Sequence, residues 1–536
     1  MIIIKKDTFY ITTPIYYPSA AAHIGHAFCT IAADVLARWN RLLGKEVFFL
    51  VGTDEHGQKI QQAANDLKKT PQEFLDEIVQ KYKELWKLLN ISHDDFIRTT
   101  EKRHETAVAK FIKKIFETGD IYKGNYEGLY CVPCETFFTE LQAPEKKCPD
   151  CNRPIKDVKE EAYFFKLSKY QKPLLDFYEK NPEFLSPKNK RKEIINRVKE
   201  GLKDLCITRA TVSWGIPFPE DKKHTIYVWV DALQNYITAL DYPDGEKFKK
   251  FWPADIHLVG KEINWFHSVI WPALLLSGGI NLPKKVYAHG WWTVEGEKMS
   301  KSKGNVIDPV KVVSDFGVDQ LRYFLLREVK FGSDGDYSES RLKETINNDL
   351  ANGLGNLVNR SIVMTEKYFD GKVPAIKINK AISEKAIKTV SSVTSHLEQL
   401  EFQETLLEIW NLITECNQYI NKEKPWENES KREEVIYTLL ESLRFISTLT
   451  YPFIPETSEK IFSQLGIGPQ KISDLKTFGL LKEGTKVKKG EVLFHKIPQC
   501  HRCGKLYIKE SLSKNICFQC GIDSKPGEVK FGKFNN

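Results

Sequence analysis

From residue 7 to about residue 120, short runs of β-branched and aromatic residues alternate with longer stretches whose apolar positions recur every three to four residues. "DTFYITTPIYY" predicts a buried strand ended by Pro18, and Phe28, Ile31, Ala32, Val35, Leu36, Trp39 and Leu42 predict a helix that stops at Gly44. "EVFFLVGTDEHG" repeats the strand-then-turn pattern and "PQEFLDEIVQKYKELWKLLN" the helical one. Alternation of this kind predicts a parallel sheet covered by helices, with ligands at the carboxyl ends of the strands. Between about 120 and 225 the pattern breaks into cysteines and prolines, which marks an insertion. Apolar runs in "HTIYVWVDALQNY", "DIHLVGKEI" and "KVYAHGWWTV" predict that the sheet then resumes. Beyond about 345 the period becomes helical throughout: Phe402, Leu406, Ile409, Ile413, Cys416 and Ile420 form one stripe, and similar stripes run to about 465. The expected fold is therefore α/β, a nucleotide-binding domain split in sequence and followed by a helical bundle.

A chain of 536 residues exceeds one hydrophobic core, and 41% apolar with 12% aromatic residues marks it as folded. No apolar run is long enough to cross a bilayer, and "MIIIKKDTFY" places its lysines after the apolar residues, the wrong order for a signal peptide. A cytoplasmic protein without a membrane is expected. The net charge of +8 is uneven, because residues 481–536 hold 12 Lys and Arg against 5 Asp and Glu. A polyanionic partner is suggested for that end.

Eight of eleven cysteines fall into two sets spaced C-x2-C-x13-C-x2-C: Cys131, Cys134, Cys148 and Cys151, then Cys500, Cys503, Cys517 and Cys520. In a reducing compartment this spacing favours a tetrahedral zinc thiolate over disulfides, since each CxxC turn presents two sulfurs to one ion. Cys29, Cys206 and Cys416 sit among apolar neighbours and are expected in the core.

"HIGH", residues 23–26, stands where the first strand gives way to a helix. Free N–H groups and the helix dipole favour a phosphate there, His23 and His26 add donors, and Gly25 lets a ring or phosphate approach. Alone, the four letters fit a helix cap with two surface histidines equally well. "KMSKSKGN", residues 298–305, offers lysines and serines able to neutralise phosphates, although alone it fits a solvated basic loop.

Taken together, HIGH, KMSKS and the helical region behind them resemble the class I aminoacyl-tRNA synthetases, and among these the methionyl-tRNA synthetases, over roughly residues 7–465. The resemblance implies a Rossmann-type catalytic domain split by a zinc-bearing insertion, an α-helical anticodon-binding bundle and, on the cysteine spacing, a small zinc-ribbon-like C-terminal segment. The implied activity is methionine activation by ATP, with Mg2+, to methionyl-adenylate, then transfer to initiator and elongator methionine tRNA. The implied catalytic residues are His23, His26, Lys298 and Lys301, with Gly25, Lys298, Ser300 and Lys301 holding ATP. Methionine would be held by Ile15, Tyr17, Asp54, Trp229, Ala232, Tyr236, Ile263, Phe266, His267 and Trp271, where Asp54 receives the amino group and aromatic edges suit the polarizable sulfur. Arg209 would orient the adenylate. Asn356, Arg360 and Trp426 would read the anticodon.

The implied division is 1–120 and 226–285 for the two halves of the nucleotide-binding domain, 121–225 for the insertion and 286–345 for the KMSKS and stem-contact region. Residues 346–470 would form the anticodon-binding bundle, 471–495 a basic linker and 496–536 the ribbon-like tail, in a protein expected to be monomeric. Only 271 residues separate His26 from Lys298, too few for the large editing domain of the isoleucine, valine and leucine enzymes. A synthetase-derived RNA-binding regulatory protein without charging activity is the alternative, but such proteins usually lose part of HIGH or KMSKS.

Overall fold

The computed structural model describes residues 7–138, 143, 145–149, 151–294, 296–299, 304–500, 506, 512–513 and 516–517, which divide into two compact units. The first comprises residues 1–291 with 332–334, and the second 292–331 with 335–536.

The first unit is built on six strands: β1 (Thr8–Thr12), β2 (Glu46–Thr53), β3 (Asp95–Arg98), β4 (Leu185–Ser186), β5 (Ile256–Gly260) and β6 (Val286–His289). All neighbours run parallel, in the order β3-β2-β1-β5-β6-β4. Helices cover both faces, so β1, β2 and β5 are buried almost throughout, which is why their sequences are continuous apolar runs rather than alternating ones. From β1 the chain moves to β2 on one side, while β5 pairs on the other. That reversal opens a crevice at the carboxyl ends of these strands. HIGH follows β1, Asp54 follows β2, and Ile263 to Trp271 follow β5.

Two features depart from the expected pattern. "HTIYVWVDALQNY" does not rejoin the sheet: Thr225–Ile226 pairs with Thr208–Arg209, and the rest forms the short helices Val228–Ala232 and Asn235–Thr238. These helices are buried on nearly every side, and an apolar run buried all round reads alike as helix or strand. Conversely β4, within the range expected for the insertion, is an edge strand of the parallel sheet. The insertion carries its own antiparallel sheet, in the order Thr136–Phe138, Ile121–Cys131, Lys156–Phe165, Leu205–Cys206.

The second unit begins with a small sheet in which Trp292–Val294 pairs antiparallel with Glu297–Lys298 and parallel with Gly335–Tyr337. Helices Asn356–Phe369, Lys380–Glu398, Phe402–Glu423, Glu429–Thr450 and Pro455–Leu465 follow. The stripe from Phe402 to Ile420 is buried as expected, and residues 435–450 of Glu429–Thr450 are buried on every face. Residues 472–494 pack against this unit through Leu475, Leu481, Val487 and Phe494. They are anchored by Glu441, whose carboxylate is paired with Arg444 and accepts the N–H groups of Gly479, Leu480 and Leu481 at 2.8–3.0 Å. Among the described residues no helix is long and apolar enough to cross a membrane.

Candidate active site

Ile24–Leu42 begins in the crevice with a cap made by its own histidines. The Gly25 N–H donates to His23 Nδ1 and the His23 N–H to His26 Nδ1, each at 3.0 Å. A ring nitrogen that accepts carries no proton, so each neutral imidazole holds its proton on Nε2. The cap and the two donors are thus one arrangement, since using Nδ1 for the backbone presents an Nε2–H on each ring. The Tyr16 ring stands edge-on to His26 at 4.7 Å and braces it. A Cβ on residue 25 would lie 2.9 Å from His23 Cε1 and push that ring off the cap, which gives Gly25 a reason beyond ligand approach.

Asp54 lies at the end of β2, where Tyr16 N–H reaches the Gly52 carbonyl and Asp54 N–H the Tyr16 carbonyl, so Ile15 and Tyr17 flank it. Asp54 is 6% exposed, and its Oδ1 has no hydrogen-bond partner among the described residues. Burial first, then the charges of Asp231, Glu135 and Glu55, holds its pKa well above the carboxylate range. An ammonium placed against Oδ1 would satisfy the orphaned oxygen and reverse that electrostatic penalty.

The aromatic set assembles from the residues after β5 and the two short helices. Trp229 lies flat on Phe266, ring centres 3.8 Å apart, and His267 stands edge-on to Trp229 at 6.4 Å. His267 Nδ1 faces the Ile263 carbonyl at 3.0 Å, so Nδ1 carries the proton and Nε2 accepts the Tyr236 hydroxyl at 2.7 Å. Burial lowers the His267 pKa to about 4, which keeps this ring neutral beside the apolar wall. Tyr236 also packs on Trp271 at 6.2 Å, and Ala232 is buried on the same short helix as Trp229. Phe266 and His267 open a π-helical turn, Phe266–Ile270, a widening frequent at functional sites.

Arg209 is buried, paired with Glu160 at 2.7 Å and stacked over Tyr130 at 4.2 Å. Its Nη1 has no partner among the described residues, leaving one buried donor to offer an anion.

Four sulfurs meet in the insertion. The Sγ atoms of Cys131, Cys134, Cys148 and Cys151 lie within 4.8 Å of one another, with 3.6 Å between Cys131 and Cys151 and 3.8 Å between Cys134 and Cys148. A tetrahedral ion bound at about 2.3 Å requires sulfurs about 3.8 Å apart, whereas a disulfide needs about 2.05 Å. The donor set therefore fits zinc.

Glu135 was not anticipated from sequence. It follows Cys134 in a left-handed conformation (φ 50°), and its Oε1 accepts the Lys59 N–H at 2.9 Å and lies 3.3 Å from the Tyr17 hydroxyl. Its Oε2 accepts the Tyr130 hydroxyl, and its carbonyl accepts that of Tyr227 at 2.6 Å. Gly57, at φ 104°, is small because a Cβ there would lie 2.7 Å from the Tyr17 oxygen and 2.9 Å from Glu135 Oε1. The cysteine cluster is thereby tied to Tyr17. A lone acid inside "CVPCETFF" carries no sequence signal of this.

In the second unit Lys298 closes a short strand, while its side chain, Ser300 and Lys301 lie outside the described residues. Asn356 and Arg360 lie one turn apart, their amide and guanidinium donating to Asn417 Oδ1 at 3.3 Å and Asn421 Oδ1 at 2.9 Å. Arg360 has no ion pair among the described residues and stands 5.6 Å from the ring of Trp426, which is 42% exposed. Cys500 is buried, but Cys503, Cys520 and the Cys517 side chain lie outside the described residues.

The family described as tRNA synthetases class I (M) matches residues 9–158 and 154–362, and the anticodon-binding domain of tRNA ligase matches 379–501. These features define a class I tRNA synthetase with a helical anticodon-binding domain. Methionine–tRNA ligases of Caldanaerobacter subterraneus subsp. tengcongensis and Clostridium tetani are 54% and 51% identical, each over 92% of this chain and 79% of their own length. A structure of Mycobacterium tuberculosis methionyl-tRNA synthetase in complex with methionyl-adenylate superposes with a TM-score of 0.88 at 40% identity, covering 91% of this chain and 99% of that one. The chain belongs to the methionyl-tRNA synthetase family, and its activity is that of a methionine–tRNA ligase.

Proposed function

We propose that this ligase works in two steps on the residues described above, and that the buried Oδ1 of Asp54, unpartnered among the described residues, together with the Trp229, Phe266 and His267 wall, is the observation that carries the assignment. Asp54 receives the ammonium of methionine, and Ile15, Tyr17, Trp229, Ala232, Tyr236, Ile263, Phe266, His267 and Trp271 surround the thioether. The methionine carboxylate attacks the α-phosphate of ATP, and pyrophosphate leaves. No protein nucleophile is needed. Catalysis is positioning and charge neutralisation, with Mg2+ accompanying the nucleotide. The Nε2–H donors of His23 and His26 serve the phosphates, Gly25 admits the nucleotide, and Lys298, Ser300 and Lys301 neutralise the departing pyrophosphate. The unpartnered Nη1 of Arg209 supports its role in orienting the adenylate. A hydroxyl of the terminal adenosine of methionine tRNA then attacks the adenylate carbonyl, and AMP leaves.

Asn356, Arg360 and Trp426 read the anticodon, a role supported by the half-exposed ring and a guanidinium without a carboxylate. Four close thiols support a zinc in the insertion and a reducing, cytosolic location. The cysteine spacing supports a second zinc in the tail. ATP–pyrophosphate exchange with a panel of amino acids tests the assignment: methionine alone supports exchange above background, and best exchange with isoleucine or cysteine refutes it.

A further inference from the structure

Asp231 is buried completely and holds two histidines from distant parts of the sequence. His56 Nδ1 lies 2.7 Å from its Oδ2, and His104 Nε2 lies 2.7 Å from its Oδ1. The second nitrogen of His104 meets the Thr238 hydroxyl at 2.8 Å. Both rings are at most 5% exposed. Asp231 and His56 belong to segments that carry residues of the proposed methionine site, and the His56 carbonyl accepts the Tyr17 hydroxyl at 2.8 Å. Asp231 stands between Trp229 and Ala232 on Val228–Ala232, and Thr238 follows Tyr236 on the next short helix. His56 lies in the turn after β2, two residues beyond Asp54.

We infer that Asp231, His56 and His104 form a positioning clamp that sets the ammonium-binding carboxylate of Asp54 against the thioether pocket, so that recognition of the substrate amino group depends on a residue of the opposite wall; this rests on the proposed role of Asp54. The path is continuous: Asp231 fixes the His56 ring, the ring and the Tyr17 hydroxyl donated to the His56 carbonyl at 2.8 Å fix the turn, and the turn holds Asp54 two residues earlier, with Oδ1 open among the described residues. The charges agree with the geometry. Burial pulls the His56 pKa down, but Asp231 outweighs it and raises it, while burial of Asp231 is outweighed by His56 and His104, which lower it. Protonation of His56 offsets a carboxylate that otherwise repels Asp54.

The experiment measures competition by three ligands in the exchange reaction of the full chain: methionine, methioninol and desamino-methionine, which lacks the amino group. In His56→Ala and Asp231→Asn, methionine and methioninol weaken by about tenfold or more, the loss of one charge-assisted hydrogen bond. Desamino-methionine and the KM for ATP stay within about twofold, the latitude left by a distant, independent site. His56→Asn, whose amide nitrogen reaches the Nδ1 position, recovers most of the loss. Asp54→Asn serves as reference and discriminates the ligands in the same way. If Asp54→Asn discriminates but the clamp variants weaken all three ligands alike, or none, the clamp is only structural and the inference is overturned. If Asp54→Asn itself does not discriminate, the ammonium role of Asp54 fails and the inference falls with it. Should His56→Ala not fold, Asp231→Asn against His56→Asn decides by the same ratios.

Discussion

Among the described residues Asp54 and Arg360 both lack an oppositely charged partner, one buried in the crevice of the parallel sheet and the other beside the half-exposed Trp426 on the helical unit. Around Asp54 nearly every other polar atom is already bonded: Glu55 accepts from Thr53, Arg98 and Thr100 at 2.6–2.7 Å, and the Trp214 indole holds the Glu55 carbonyl at 2.7 Å. Around Arg360 the contacts are one asparagine, Asn421, and an open ring. The contrast matches the ligands proposed for the two sites. A small zwitterion offers few atoms, so its site is desolvated and wired in advance to make each contact count. Bases of an RNA loop arrive with large flat faces, and an exposed ring with a nearby cation suffices to stack them.

The comparison is broken most severely at the phosphate end. His26→Ala and Lys301→Ala are expected to lower exchange by about two to three orders of magnitude, since one preorganised donor to a developing oxyanion contributes roughly 2.7–4 kcal/mol. Methionine binding measured by equilibrium dialysis without ATP stays intact. Near-normal exchange in both variants refutes these roles.

On the helical unit, Trp426→Ala is expected to lower kcat/KM for tRNA by about tenfold to a hundredfold, the range for one stacked base, with exchange unchanged. Arg360→Ala acts in the same direction. Loss of exchange in either variant would erase the distinction between the two regions.

The charge on Asp54 sharpens the contrast through pH. Its folded pKa is raised, so the free protein loses stability as pH rises from the ordinary carboxylate range through that value, whereas the proposed ammonium contact requires the ionised form. Methionine should therefore raise Tm more at about pH 8 than at about pH 5.5, and KM for methionine should climb on the acid side. Asp54→Asn flattens both profiles, and a pH-independent methionine shift in the parent protein contradicts the assignment.

The smallest expected effect tests the tie between the cysteine cluster and the pocket. Cys131→Ala should remove about one zinc per chain in metal analysis. Glu135→Gln should keep the metal while raising KM for methionine by a few-fold, the worth of one neutral hydrogen bond near Tyr17. An unchanged KM would leave Glu135 as a brace for Tyr130 and Lys59 only.

Much of this molecule is determined by local pattern. The helix after β1, the stripe from Phe402 to Ile420 and the CxxC pairs are legible because a 3.6-residue period and a two-residue spacing report neighbours along one element. HIGH was legible as a helix start for the same reason, although not the use of both Nδ1 atoms in the cap, which leaves each ring proton on Nε2. "HTIYVWVDALQNY" misled because full burial erases periodicity, so only its packing decided between strand and helix. Asp231 meeting His56 and His104, Glu135 reaching Tyr17, and the empty oxygen of Asp54 join residues up to 175 positions apart. No short-range spacing encodes such contacts. They exist only because β1, β2 and β5 stand side by side and bring the turns that follow them to one end of the sheet, where a buried polar atom is either matched by another segment or left for the substrate.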